Sequence, residues 1–109
     1  MNTENYQSFV QTTAIYPDSG SKNTYELMYL AMGLCSESGE VANKIKKIYR
    51  DGSAIPLESL AGELGDVAWY WFNLCNALGL DAKEVLQLNM AKLESRKDRG
   101  VLGGSGDTR

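Results

Sequence analysis

Apolar residues along this chain recur with helical spacing, and no segment alternates in the two-residue period of a half-buried strand. Tyr6, Phe9, Val10 and Thr13 share one face of a first predicted helix over roughly Thr3 to Thr13, which breaks near Tyr16-Pro17-Asp18. A second runs from about Asn23 to Arg50, with a bend expected at Gly33, and stops at the turn pair Asp51-Gly52. A third opens at Pro56, where a missing N–H costs nothing, and ends at Leu78-Gly79. Asp81 as N-cap, with Glu84 three residues on, has the form of a capping box for a fourth helix that frays after Arg96. The pattern predicts an all-α, four-helix, bundle-like fold for residues 1–99. Gly100 to Arg109, with four glycines, reads as a flexible tail without the G-K-S/T ending of a phosphate-binding loop.

The third helix adds an expectation about assembly. Leu60, Leu64, Val67, Trp71, Leu74 and Leu78 form a core-facing stripe, while Trp69 and Phe72 point elsewhere. A helix apolar nearly all round in a 109-residue chain needs cover from another subunit, so a homo-oligomer is expected. The aromatics read mainly as core or interface. Stacking on a nucleobase stays open for Trp69, Trp71, Tyr16 or Tyr29.

Composition changes the picture by what it removes. There is no histidine, which excludes Ser/His and Cys/His nucleophiles, H-E-x-x-H zinc sites and the Glu-x-x-His di-iron bundle. The net charge of -3 offers no broad basic surface to a nucleic-acid polymer. Neither a signal sequence nor an 18-residue apolar run occurs, so a cytoplasmic protein without membrane contact is expected. Cys35 and Cys75 stand apart in apolar helical patterns and read as reduced core residues.

One internal repeat carries the chemistry. Leu34 to Ala42 and Leu60 to Ala68 both read L-x-x-E-x-G-E/D-V-A, offset by 26 residues. Acids three apart lie one turn apart on one helix face, so Glu37 with Glu40, and Glu63 with Asp66, make two carboxylate pairs. Each pair weakens its helix by a few tenths of a kcal/mol, roughly, and the enclosed glycine costs about 1 kcal/mol more against alanine. Stability does not explain the same double penalty twice; a metal site does. Helices facing each other through Gly39 and Gly65 would approach closely, and four oxygen-bearing side chains favour Mg²⁺ or Mn²⁺ over zinc. The alternative is a solvated acidic face paired with Lys and Arg.

Lys44 and Lys47 follow Glu37 at +7 and +10, and Tyr70 and Asn73 hold the same offsets from Glu63. Asn89, Lys92 and Arg96 make one stripe on the fourth helix. Metal ions with several convergent cations suit a polyphosphate, although each cation taken alone reads equally well as solvated surface.

The signature E-x-x-E, a 22-residue spacer and E-x-x-D resembles that of the MazG-like, all-α nucleoside triphosphate pyrophosphohydrolase superfamily. The flanking runs G-L-C-S-E-S-G-E-V-A-N-K-I-K-K and E-L-G-D-V-A-W-Y resemble it too, as does the ending from Asn89 to Arg109. The resemblance implies hydrolysis between the α- and β-phosphates to nucleoside monophosphate and pyrophosphate, by a dimer or a tetramer of two dimers. Glu37, Glu40, Glu63 and Asp66 would hold Mg²⁺, and Glu37 or Glu40 would also orient or deprotonate water. Lys44, Lys47, Lys92 and Arg96 would balance phosphate charge. Tyr70, Asn73 and Asn89 would hydrogen-bond sugar or phosphate, and Asp107 or Arg109 would close the tail over the nucleotide. A dimeric deoxyuridine triphosphatase, a phosphoribosyl-ATP pyrophosphatase, a non-catalytic metal- and nucleotide-binding module and a purely structural oligomer stand as alternatives.

Overall fold

A computed structural model of the chain describes residues 1–109 as four helices without a strand: α1 (Thr3–Thr12), α2 (Thr24–Asp51), α3 (Leu57–Leu78) and α4 (Ala82–Asp98). The starts of α1, α2 and α4 are set by side-chain caps, in which Asn2, Asn23 and Asp81 accept from the N–H of Asn5, Glu26 and Lys83. Glu84 makes no reciprocal hydrogen bond to Asp81, so the capping-box form is only half realised. Gly52 and Gly79 close α2 and α3 in the left-handed conformation, at φ 64° and 71°. The fourth helix continues two residues past Arg96. None of the helices is long and apolar enough to cross a membrane.

The long helices α2 and α3 pack along each other, α1 lies on α3, and α4 touches α1 and α3 but not α2. Gln7 ties α1 to the start of α4, donating to Leu80 O at 2.8 Å and accepting from Ala82 N at 2.9 Å. The core is small: Tyr16, Leu30 and Ala77, with Leu27, Trp69, Tyr70 and Leu74 against them. This corrects the expected core stripe of α3. Leu64 and Leu78 are 57% and 52% exposed, whereas Trp69 packs edge-on to Tyr16. The loop between α1 and α2 folds back over α3 and puts the core on the Trp69–Tyr70 side.

Three more expectations change. α2 runs unbroken through Gly33, whose missing side chain accommodates the ring of Tyr70. A Cβ on Gly39 or Gly65 would meet nothing within 4 Å, so the helices do not approach through those glycines. Cys75 is buried, with its thiol pKa pushed up by burial, but Cys35 is exposed.

The C-terminal segment forms a turn. Residues 101–109 wrap the Arg109 guanidinium, whose planar array of donors collects four backbone carbonyls.

Candidate metal and nucleotide site

The helical repeat aligns Glu63, Asp66, Tyr70 and Asn73 along one face of α3, against the part of α2 that carries Glu37. Carboxylate oxygens of Glu37, Glu63 and Asp66 all lie within 4.8 Å of one another. Glu40 is exposed and stands outside that group. The Glu37 carboxyl pKa is raised, first by burial, then by a proton shared with Glu63 and by the charges of Asp66, Glu63 and Glu40. A half-buried group of acids that repel one another in this way matches the all-oxygen coordination of a hard divalent cation.

Lys44 Nζ stands 3.5 Å from Glu63 Oε1, so one of the expected phosphate-binding cations already faces the acids. Lys47 lies a turn further along α2, beside a shallow hollow shared with Lys44, Ser53 and Ser59. Tyr70 is held on Gly33 beside Tyr29. Burial first, then hydrogen bonding with Tyr29 and the nearby charges of Tyr29, Glu37 and Asp66, push its pKa up to about 12. The phenol therefore stays protonated and can donate.

Other candidates are placed differently. Asn73 is 2% exposed and donates to Val10 O at 3.3 Å, joining α1 to α3. Asn89 and Lys92 are exposed on α4, which does not reach α2, so within one protomer they are not brought to the acids. Arg96 is buried beneath the C-terminal turn, donating from Nη2 to Asp107 O. Arg109 is committed to the turn itself. The side chains of α4 follow its contacts with α1, α3 and the tail, which spacing alone does not specify.

Beyond Asn73 lies a cavity of about 330 Å³, lined in part by Gln11, Tyr16, Lys22, Glu26, Asn73 and Asn76. Glu26, absent from the sequence reading, organises its rim. The buried carboxylate accepts from Tyr16 Oη at 2.7 Å, Gly20 N at 2.8 Å and Lys22 N at 2.8 Å. Burial alone would raise its pKa, but these donors, with the Lys22 charge, carry it below the usual carboxylate value. Tyr16 stacks on Tyr29, with ring centroids 4.5 Å apart, so a row of aromatics leads from the cavity rim to Tyr70 and the acids. In the sequence an acid at the third position of α2 resembles an ordinary first-turn helix acid, and only the loop geometry marks Glu26 out.

The family model of the MazG nucleotide pyrophosphohydrolase domain matches residues 25–101. The Gene 37 protein of Mycobacterium phage L5 is 47% identical over 114 residues, an alignment covering 100% of both chains. No solved structure matches the chain.

Proposed function

This chain belongs to the MazG nucleotide pyrophosphohydrolase family, and we propose that it hydrolyses nucleoside or deoxynucleoside triphosphates between the α- and β-phosphates, releasing monophosphate and pyrophosphate. The observation that carries this reading is the convergence of Glu37, Glu63 and Asp66 oxygens within 4.8 Å. The three would hold Mg²⁺ or Mn²⁺, with Glu40 joining from the next turn of α2. Such an ion supplies Lewis-acid stabilisation of phosphate charge and a more acidic water. Glu37 or Glu40 would receive the proton of the attacking water. Lys44 offsets charge on the phosphates, with Lys47 further along the helix. Tyr70 donates to the sugar or to a phosphate oxygen.

The nucleoside end lies towards the cavity. Asn73 is seven residues beyond Asp66, roughly 10 Å along the helix axis, which suits the span from a phosphate across a pentose to a base. The ionised Glu26 makes the cavity unsuited to phosphate, whereas Gln11 and the side-chain carbonyls of Asn73 and Asn76, whose amides serve Val10 and Gln7, offer polar groups to a neutral base edge.

Completion by a second copy is part of this reading. The protomer exposes 7708 Å², against about 6,000 Å² for a compact monomer of its mass. Its radius of gyration is 16.8 Å, against about 13 Å. A dimer or tetramer would cover α4 and let Asn89 and Lys92 serve a partner's acids. We assign the hydrolase domain to residues 1–99 and a separate C-terminal turn to 100–109, and place the protein in the cytoplasm, in nucleotide-pool housekeeping.

Product analysis on a panel of NTPs and dNTPs tests this. Monophosphate with pyrophosphate, lost with EDTA and in Glu63→Gln, is the expected result. Release of single phosphate, or wild-type rates in Glu63→Gln, would overturn it.

A further inference from the structure

The segment after α4 is built around a guanidinium. Arg109 Nε donates to the carbonyls of Val101 and Gly103, Nη1 to Gly106 and Nη2 to Leu102, at 2.7–3.1 Å. Arg99 Nη2 donates to Arg109 O at 2.8 Å and Arg96 Nη2 to Asp107 O at 2.6 Å. Three arginines thus fasten one glycine-rich turn to the end of the helix.

This arrangement dictates where the opposite side of the backbone points. In a planar trans peptide, the C=O of one residue and the N–H of the next are directed oppositely. Carbonyls of residues 101, 102, 103 and 106 converge on Arg109, so the N–H groups of Leu102, Gly103, Gly104 and Asp107 face away from it. None of them donates to any protein acceptor. Leu102, Gly103 and Gly104 supply three such donors in succession, and a Cβ on Gly103 would meet nothing within 4 Å. Successive outward N–H groups in a turn are an anion-binding arrangement.

A second observation points the same way. Arg96 is only 8% exposed, its buried Nε has no acceptor, and neither Arg96 nor Arg109 makes an ion pair with a side-chain carboxylate. From Arg96 to Arg109 the chain carries Arg96, Lys97, Arg99 and Arg109 against Asp98 and Asp107. The Arg96 guanidinium beneath the turn adds positive potential to its outward face, which favours an anion there.

We propose that residues 101–107, held by Arg109 and underlain by Arg96, form a cradle for a diphosphate group: the two terminal phosphates of a nucleoside triphosphate held on the acids of a second copy, or free pyrophosphate. The choice of a diphosphate rests on the proposed hydrolysis; the cradle itself does not. Arg109 is a positioning residue here, since its own donors are spent on the carbonyls.

The test is a titration of ¹⁵N-labelled full-length protein in EDTA with inorganic pyrophosphate and, separately, with an α,β-methylene nucleoside triphosphate. Saturable shifts of the Gly103 and Gly104 amides are expected, with affinity about tenfold weaker in Arg109→Ala and, read at Gly104 alone, in Gly103→Pro, which removes one N–H without touching an arginine. Stronger shifts with the triphosphate analogue assign the cradle to substrate, and stronger shifts with pyrophosphate assign it to product. Absence of shifts with both, or shifts unchanged in both variants, overturns the proposal. Hydrolysis is not read in this experiment, so a failed cradle with intact turnover, or an intact cradle without turnover, separates this inference from the proposed activity.

Discussion

The ring of Tyr70 occupies the space that a side chain on Gly33 would need, which locks α3 against α2 one helical turn from the acids. Alanine at 33 would restore about 1 kcal/mol of helix propensity but collide with the ring, an overpacking cost of roughly 1–3 kcal/mol. Gly33→Ala is therefore expected to destabilise the wild type and to stabilise a Tyr70→Ala background. A double-mutant cycle by urea denaturation reads the change of sign, and equal effects in both backgrounds would refute the seat.

The acids repel one another without metal. Glu37→Gln is expected to raise the melting temperature in EDTA at pH 8 by roughly 2–4 °C, from the relief of about 0.5 kcal/mol of like-charge repulsion. The same variant should lose the further rise that MgCl₂ gives the wild type, because a ligand bound only by the folded state stabilises it. Differential scanning fluorimetry with and without Mg²⁺ measures both. A wild type indifferent to Mg²⁺ would remove the metal from this site.

The four helices were legible because apolar spacing, Pro56, the Asp81 cap and the glycines at 52 and 79 mark them locally. Glu37, Glu63 and Asp66 were legible as candidates because the same costly E-x-G-E/D turn occurs twice, although Glu40 of the same repeat stands outside their group. What escaped depends on contacts between distant segments. Gly39 and Gly65 looked like the close approach, but Gly33 provides it, since its partner Tyr70 is 37 residues away in sequence. Asn73 continues the acidic stripe by spacing, yet α1 covers it and takes its amide. Arg96 reads as an outward cation until the turn built on Arg109 folds over it. Glu26 has no sequence mark at all, because its partners are a tyrosine ten residues earlier and two loop N–H groups.

Glu26 predicts an acid-labile loop. Its carboxyl is held below the ordinary value of 4.5 by three donors and the Lys22 charge, in spite of burial. A depressed carboxylate contributes stability that is fully present above the unfolded value and is lost as pH falls through the folded one. Wild-type stability should therefore drop below pH 4.5, and Glu26→Gln should lack that part of the drop while costing about 1–3 kcal/mol at pH 7. The urea midpoint measured against pH in both proteins checks this. Parallel curves would mean Glu26 titrates alike in the folded and unfolded chain.

The strongest demand for a second copy comes from α4, where Leu88 and Met90 are 72% and 62% exposed while Asn89 and Lys92 point into solvent. Leu88→Glu with Met90→Glu is expected to shift the protein to smaller species in sedimentation and to lower its melting temperature together, since cover and fold are linked. A sharper test asks whose acids α4 serves. Glu37→Gln and Lys92→Ala each disable one half of a shared site. If the site joins the acids of one protomer to Lys92 of another, mixing the two inactive variants after dissociation restores activity. In a symmetric dimer about a quarter of the wild-type rate returns, because half the re-formed dimers are mixed and each has one intact site. Were both residues drawn from the same chain, every site in the mixture would stay broken and no activity would return. An active Lys92→Ala alone would instead leave α4 an interface helix without a share in the chemistry.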